Sequence, residues 1–277
     1  MRQQSETPRW SRLDWLLVAG AVLLALVVRL LAGPRTIDDA YITFRYARNL
    51  AEGLGFVYNP GQAVLGTTTP LYTVLMSLAW LLGLRDLPAV ALAVNTLADA
   101  GTVLLLYWLG QRLGKSRIVA LGAALAWALS PMSVTFALGG METEVVIFFL
   151  VATFAAYVAG RSRLSAALMA LAVLTRPDAL IAAGLLFADM GLRPLLARDG
   201  GSLAARLRRL PWVEVAIFGA LLLPWVIFAT VYFGSPLPQS VQAKVHAYHL
   251  DSFSALIRLL QHLSTPFFEH RIFGRFW

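Results

Sequence analysis

The chain has no cysteine, which excludes disulfides, thiol catalysis and thiolate metal sites and leaves the redox compartment unread. It is also poor in charge. Asp, Glu, Lys and Arg make up 14% of its 277 residues against 58% hydrophobic ones, and the mean hydropathy is +0.69. A soluble domain carries roughly 25% charged residues, so this balance describes a polytopic membrane protein. Acids are scarcer than bases, 15 against 23, for a net charge of +8. Most of the bases fall in short stretches between apolar runs, which marks cytoplasmic loops and argues against a nucleic-acid partner. The chain has no phosphate-cradling Gly-Lys loop and no Gly-x-Ser-x-Gly elbow, so nucleotide-driven and serine-hydrolase chemistry have no support. His246, His249, His262 and His270 have no ligand spacing, and no metal site is read from them.

Orientation follows from the bases. Residues 1–12 carry Arg2, Arg9 and Arg12 and read as a cytoplasmic tail, so the apolar run 13–32 carries the chain outward. That run exceeds a signal-peptide core of roughly 7–15 residues and reads as a retained anchor. Arg29, near its outer end, is expected to snorkel to the headgroups. Residues 70–84 are shorter than the roughly 20 a spanning helix needs, and a span there would put the basic stretch Arg112, Lys115, Arg117 outside. Residues 34–87 therefore form one external loop with two helices lying at the surface. The first, 38–52, is amphipathic and stopped by Gly53 and Gly55; the second starts at Pro70.

The bundle 88–233 then follows. Residues 88–110 return inward, 118–138 go outward, and 145–159 come back to Arg161 and Arg163. Residues 164–174 and 179–192 form two arms too short to span fully, with Thr175-Arg176-Pro177-Asp178 at their outer apex. Residues 212–233 lead outward again to an external stretch, 234–277. The chain stops soon afterwards without a further complete span and reads as C-terminally truncated.

Four polar stretches come out on the same side in this topology: Asp38-Asp39, Glu142 with Glu144, Arg176 with Asp178, and the prolines at 236 and 238. Adjacent carboxylates at a helix start can simply favour its dipole. Near a lipid surface, one of them can instead take a proton from an acceptor hydroxyl. Tyr41, Arg45 and Arg48 follow at helical spacing and share a face that can orient such a site. Glu142 follows Gly139-Gly140, whose lack of side chains allows close approach. Glu144, at the start of the next helix, is expected to complement its dipole. Arg176 is an ionisable residue at membrane depth, suited to a phosphate or to an internal pair with Asp178. Asn95 and Asp99, four apart in one span, are expected to hold helices together. Two adjacent acids leave room for a divalent cation, although further oxygen ligands are not evident.

The run from Asp38-Asp39-Ala40-Tyr41 to Asn49-Leu50 resembles a known family. So do Gly55-Phe56-Val57-Tyr58-Asn59-Pro60-Gly61, Thr68-Thr69-Pro70-Leu71, Gly140-Met141-Glu142-Thr143, Leu174-Thr175-Arg176-Pro177-Asp178 and Gly234-Ser235-Pro236-Leu237-Pro238. The family is the multi-spanning GT-C glycosyltransferases that use polyprenyl-phosphate sugars. The order and spacing are similar to the bacterial branch with the mycobacterial terminal arabinofuranosyltransferases; aminoarabinose transferases and protein O-mannosyltransferases are more distant. Thr68-Thr69-Pro70 departs from the Tyr-Thr-Asn-Pro of that branch.

The resemblance implies an all-α, GT-C-like transmembrane bundle in the cell membrane with its site on the external face. It implies inverting transfer of a sugar from a polyprenyl phosphate to a hydroxyl of a glycan, lipid or protein. Asp38 would be the base and Asp39 its support, with Tyr41, Arg45, Glu142, Arg176 and Asp178 binding substrate and Arg176 facing the donor phosphate. Two other readings remain open at this point. One is a transporter or flippase with Arg29 and Asp99 on a midplane path, and the other is a non-catalytic fragment of a glycosyltransferase.

Overall fold

The computed structural model describes residues 10–196, 202–236, 238 and 251–264. Every regular element among them is helical. The chain divides into two compact units, Met1–Pro236 and Leu237–Trp277. In the first, α1 spans Arg12–Ala32, α2 Asp38–Ala51, α3 Pro70–Leu81, α4 Leu87–Arg112, α5 Arg117–Ala128 and α6 Pro131–Gly139. Then come α7 Thr143–Val158, α8 Ser162–Thr175, a 3-10 turn Pro177–Ala179, α9 Leu180–Leu196, α10 Leu203–Arg208 and α11 Trp212–Phe233. In the second unit the described element is α12, Ser252–Ser264. It opens with Asp251, whose carboxylate accepts from the Ser254 amide at 2.9 Å and the Phe253 amide at 3.0 Å.

Four helical stretches are long and apolar enough to cross a membrane: Arg12–Ala32, Leu87–Arg112, Pro177–Leu196 and the one ending at Phe233. The bent pair α5 and α6 makes a fifth. This is a polytopic helical membrane bundle. Where the sequence predicts one straight span over 118–138, the helix breaks at Ser130-Pro131 and bends by 44°. Pro131 cannot donate into the preceding turn, and the Ser130 side chain caps the new start by accepting from the Ser133 amide at 3.5 Å. The second of the two expected short arms also differs. The 3-10 turn at Pro177 extends α9 to a 20-residue stretch, Pro177–Leu196, of spanning length. α8 is short as expected, at 14 residues, and so is α3, whose 12 residues reach only about 18 Å.

Close approach of helices is achieved with small side chains, as packing within lipid favours. Ala21 and Ala25 of α1 meet Ala120, Ala124 and Ala128 of α5 in one cluster with Val103 and Tyr107 of α4. A Cβ on Gly110 would lie 2.7 Å from the Ala120 Cβ. The end of the bundle that holds the start of α1 is fastened by charge. Asp14 accepts from Tyr107 Oη at 2.7 Å and from Arg117 Nε at 2.6 Å, joining α1, α4 and α5.

The helix interior holds a correction. Arg29 does not snorkel: its side chain is fully buried and pairs with the equally buried Asp99 at 2.5 Å. It also donates to Ser133 Oγ at 2.6 Å and to the carbonyls of Ala128 and Ala25 at 2.9 and 3.1 Å. Asp99 accepts further from Trp127 Nε1 at 2.8 Å. The turn after Ser130 brings Ser133 and the free carbonyl of Ala128 to meet the guanidinium, and a buried charge needs such satisfied partners. Glu144 stands in the first turn of α7, where an acid favours the helix dipole as expected, but its side chain is fully buried, with Asp99 and Arg29 as its charged neighbours. Asp99 acts between helices as expected.

Candidate active site

The approach to α2 is held by the backbone. Gly33, at φ 69°, ends α1. The Arg35 and Ile37 amides then donate to the carbonyls of Leu138 and Gly139, at 3.0 and 3.1 Å. These two bonds lay the segment before α2 alongside the end of α6. Gly140 closes α6 in the left-handed region at φ 79°, and a Cβ there would sit 3.1 Å from Thr36 Cγ2 and 3.4 Å from the Phe44 ring. Gly140 thus serves close approach of the chain to itself, whereas a Cβ on Gly139 would meet only Ile37 Cγ2, at 3.9 Å. Tyr72 Oη donates to the Gly140 carbonyl at 3.1 Å, and Asn95 Nδ2 donates to those of Met141 and Ala137 at 2.8 and 3.3 Å. Helices α2, α3 and α4 so fix the turn that carries Glu142.

Ile37 occupies the N-cap of α2 and Asp38 and Asp39 fill the first helical turn, with no side-chain cap bond. Both carboxylates are exposed, and Asp38 Oδ1 accepts from the Asp39 amide at 3.0 Å. The acids complement the dipole of α2 without being consumed as caps.

Arg176 follows α8 in an extended conformation, φ −148°. Its guanidinium meets Glu142 at 3.3 Å and Asp178 at 3.2 Å. The expected internal pair with Asp178 is present, and a second carboxylate joins it. Glu142 is buried, while Arg176 is about a third exposed, at 35%. Burial pushes the Glu142 carboxyl above its ordinary value; Arg176 pulls it down, and Asp178 and Asp39 push it up.

Two cavities flank α2. One, of about 400 Å³, is almost wholly apolar and lies between Leu50, Phe56, Leu71, Leu174, Trp225 and Phe228. Leu174 is two residues before Arg176. The other, of about 650 Å³, opens on the face carrying Tyr41, Arg45 and Arg48. Arg45 donates to the Tyr58 carbonyl at 2.9 Å and to Asn59 Oδ1 at 3.1 Å, with its guanidinium 4.3 Å above the Tyr58 ring. Tyr41 is exposed and packs edge-on to Phe44.

Glu142, Arg176 and Asp178 therefore form one cluster with Asp39 within electrostatic reach, while Tyr41 and Arg45 line the neighbouring cavity. The stretch around Pro236 falls largely outside the described residues, as do His246, His249 and His270; the His262 side chain is not described either. Among the described residues no three of His, Asp and Glu stand together as metal ligands. Sequence reasoning missed Tyr72, which holds the Gly140 turn, and Arg85 and Trp80, which line the larger cavity.

Fold and site together define a polytopic helical membrane protein with carboxylates and an arginine gathered at one end of its bundle, beside an apolar groove. No family model matches the chain, and no solved structure matches it. Over 224 residues it is 30% identical to the terminal beta-(1->2)-arabinofuranosyltransferase of Mycobacterium tuberculosis (strain ATCC 25618 / H37Rv), covering 75% of this chain and 34% of that protein. The match thus spans about a third of the length of the curated relative.

Proposed function

We propose that the protein transfers a sugar from a polyprenyl-phosphate donor to an acceptor hydroxyl at the external face of the cell membrane, with inversion. The observation that carries this reading is the position of Arg176 two residues beyond Leu174, which lines the apolar groove. A polyprenyl chain in that groove would bring its phosphate to the guanidinium, and an Arg fork matches phosphate oxygens. The acceptor oxygen attacks the anomeric carbon as the bond from that carbon to the phosphate oxygen breaks. Asp38 takes the hydroxyl proton, and polyprenyl phosphate leaves with its charge met by Arg176. Asp39 supports the site from the first turn of α2, and Glu142 holds Arg176 in place.

Transfer of radiolabelled sugar from a polyprenyl phosphate by membranes containing the protein tests this. Arg176→Ala should lower kcat/KM at least about a hundred-fold, as expected for loss of a donor aimed at developing charge, and Arg176→Lys should recover part of it. Unchanged turnover in Arg176→Ala would sink the donor assignment.

A further inference from the structure

The larger cavity is left unexplained by donor binding. We propose that it is the acceptor subsite and that the saccharide it takes carries an anionic group, a phosphate or a carboxylate. This rests on the transferase reading above. Its volume, about 650 Å³, lies within the range of pockets that enclose a small organic molecule. A lone headgroup phosphate would fill only a fraction of it. Its walls include the rings of Tyr41, Tyr58 and Trp80, flat apolar surfaces against which the C–H faces of sugar rings can lie.

Its charge is positive. Arg45, Arg48 and Arg85 line it, and among the described residues only Arg48 has a carboxylate partner, Glu52 at 3.3 Å. Arg45 is held by neutral oxygens of Tyr58 and Asn59. Arg85 lies 4.4 Å above the Trp80 ring. No described carboxylate lies within ion-pair distance of Arg45 or Arg85. A guanidinium stacked on a ring keeps its N–H edge available and already oriented, which suits an incoming oxyanion. The Trp80 indole N–H is also buried with no acceptor among the described residues.

The position fits an acceptor. Residues 38, 41, 45 and 48 recur at helical spacing, so Asp38 shares the face of α2 that forms one wall of the cavity. Asp39, a step of about 100° away around the helix, is the one whose charge Glu142 feels. The two acids so stand towards different sides of α2, Asp38 towards the acceptor and Asp39 towards Arg176.

The test uses the purified chain in nanodiscs of zwitterionic lipid, titrated with a disaccharide phosphate monoester, the same disaccharide without phosphate, and inorganic phosphate. The phosphorylated disaccharide should bind at least about ten-fold more tightly than either. Arg85→Ala should weaken it by about ten-fold or more, the scale of one charged hydrogen bond, and Arg85→Lys should restore part of the loss. Equal affinity for the phosphorylated and neutral sugars, or no effect of Arg85→Ala, overturns the proposal. So does competition by phosphatidylglycerol in the disc as effective as that of the sugar phosphate, which would make this a headgroup site. If the anionic preference fails while Arg176-dependent transfer persists, the inference falls and the transferase stands. If the preference holds but transfer is absent, the transferase reading falls and takes the acceptor role with it.

Discussion

Replacing Arg29 by Met tests the buried pair at the centre of the bundle. The guanidinium makes four hydrogen bonds: to Asp99, Ser133, and the carbonyls of Ala25 and Ala128. The large effect is on Asp99, fully buried and left with Trp127 and Ser133 as donors. Removing one partner of a buried ion pair costs about 3–5 kcal/mol, and an unpaired acid at the membrane centre about 2.5–3.5 kcal/mol. Arg29→Met should therefore lose about 3 kcal/mol, read as a lower midpoint for unfolding in mixed detergent–SDS micelles. Arg29→Met with Asp99→Leu should recover most of that loss, because the uncompensated charge is gone. A loss below about 1 kcal/mol for the single variant, as expected of an arginine at the headgroups, would refute the reasoning.

Gly140→Ala should cost about 1–2 kcal/mol for its left-handed backbone, plus crowding against Thr36 at 3.1 Å; the same melt reads it, and a neutral effect contradicts the tight turn. Glu142 titrates above its ordinary value when folded, so the folded form still holds a proton that the unfolded chain has lost. Its contribution to stability falls as pH rises from the ordinary glutamate value through the raised one, and is constant beyond. Glu142→Gln should therefore gain on the parent across that window, and a pH-independent difference would contradict the buried carboxyl. Because the chain has no cysteine, Gln62→Cys offers a single thiol at an exposed position of the α2–α3 loop. An impermeant thiol reagent should label it from outside intact cells; labelling only after permeabilisation reverses the orientation.

Several elements were legible because one physical signal fixed each. α1, α2 and α11 begin and end within a residue or two of expectation, since apolar length, the Gly53 stop and the acids at 38 and 39 mark them locally. α3 was legible from its Pro70 start and its length. What was hidden depends on partners distant in sequence. An arginine in an apolar run reads as snorkelling until Asp99, 70 residues on, is known to face it. The bend at Ser130-Pro131 carries an ordinary helix-start signal that the surrounding apolar run concealed. In the site, pairing of Arg176 with Asp178 could be read from two residues' separation, whereas Glu142 joins them only through the turn built by Tyr72 and Asn95. The arginine-lined cavity draws on α2, the loop after it, the end of α3 and the start of α4, which no local pattern connects.

The central claim is that a carboxylate at the start of α2 accepts the proton of the attacking hydroxyl. The most direct measurement is kcat for transfer from a polyprenyl-phosphate sugar by Asp38→Asn, in membranes where the variant inserts and melts as the parent does. The amide keeps the shape and cannot take the proton. The account expects a fall of about 10²–10⁴-fold, the scale of general-base catalysis, with donor affinity unchanged. Turnover within a few-fold of the parent would contradict it.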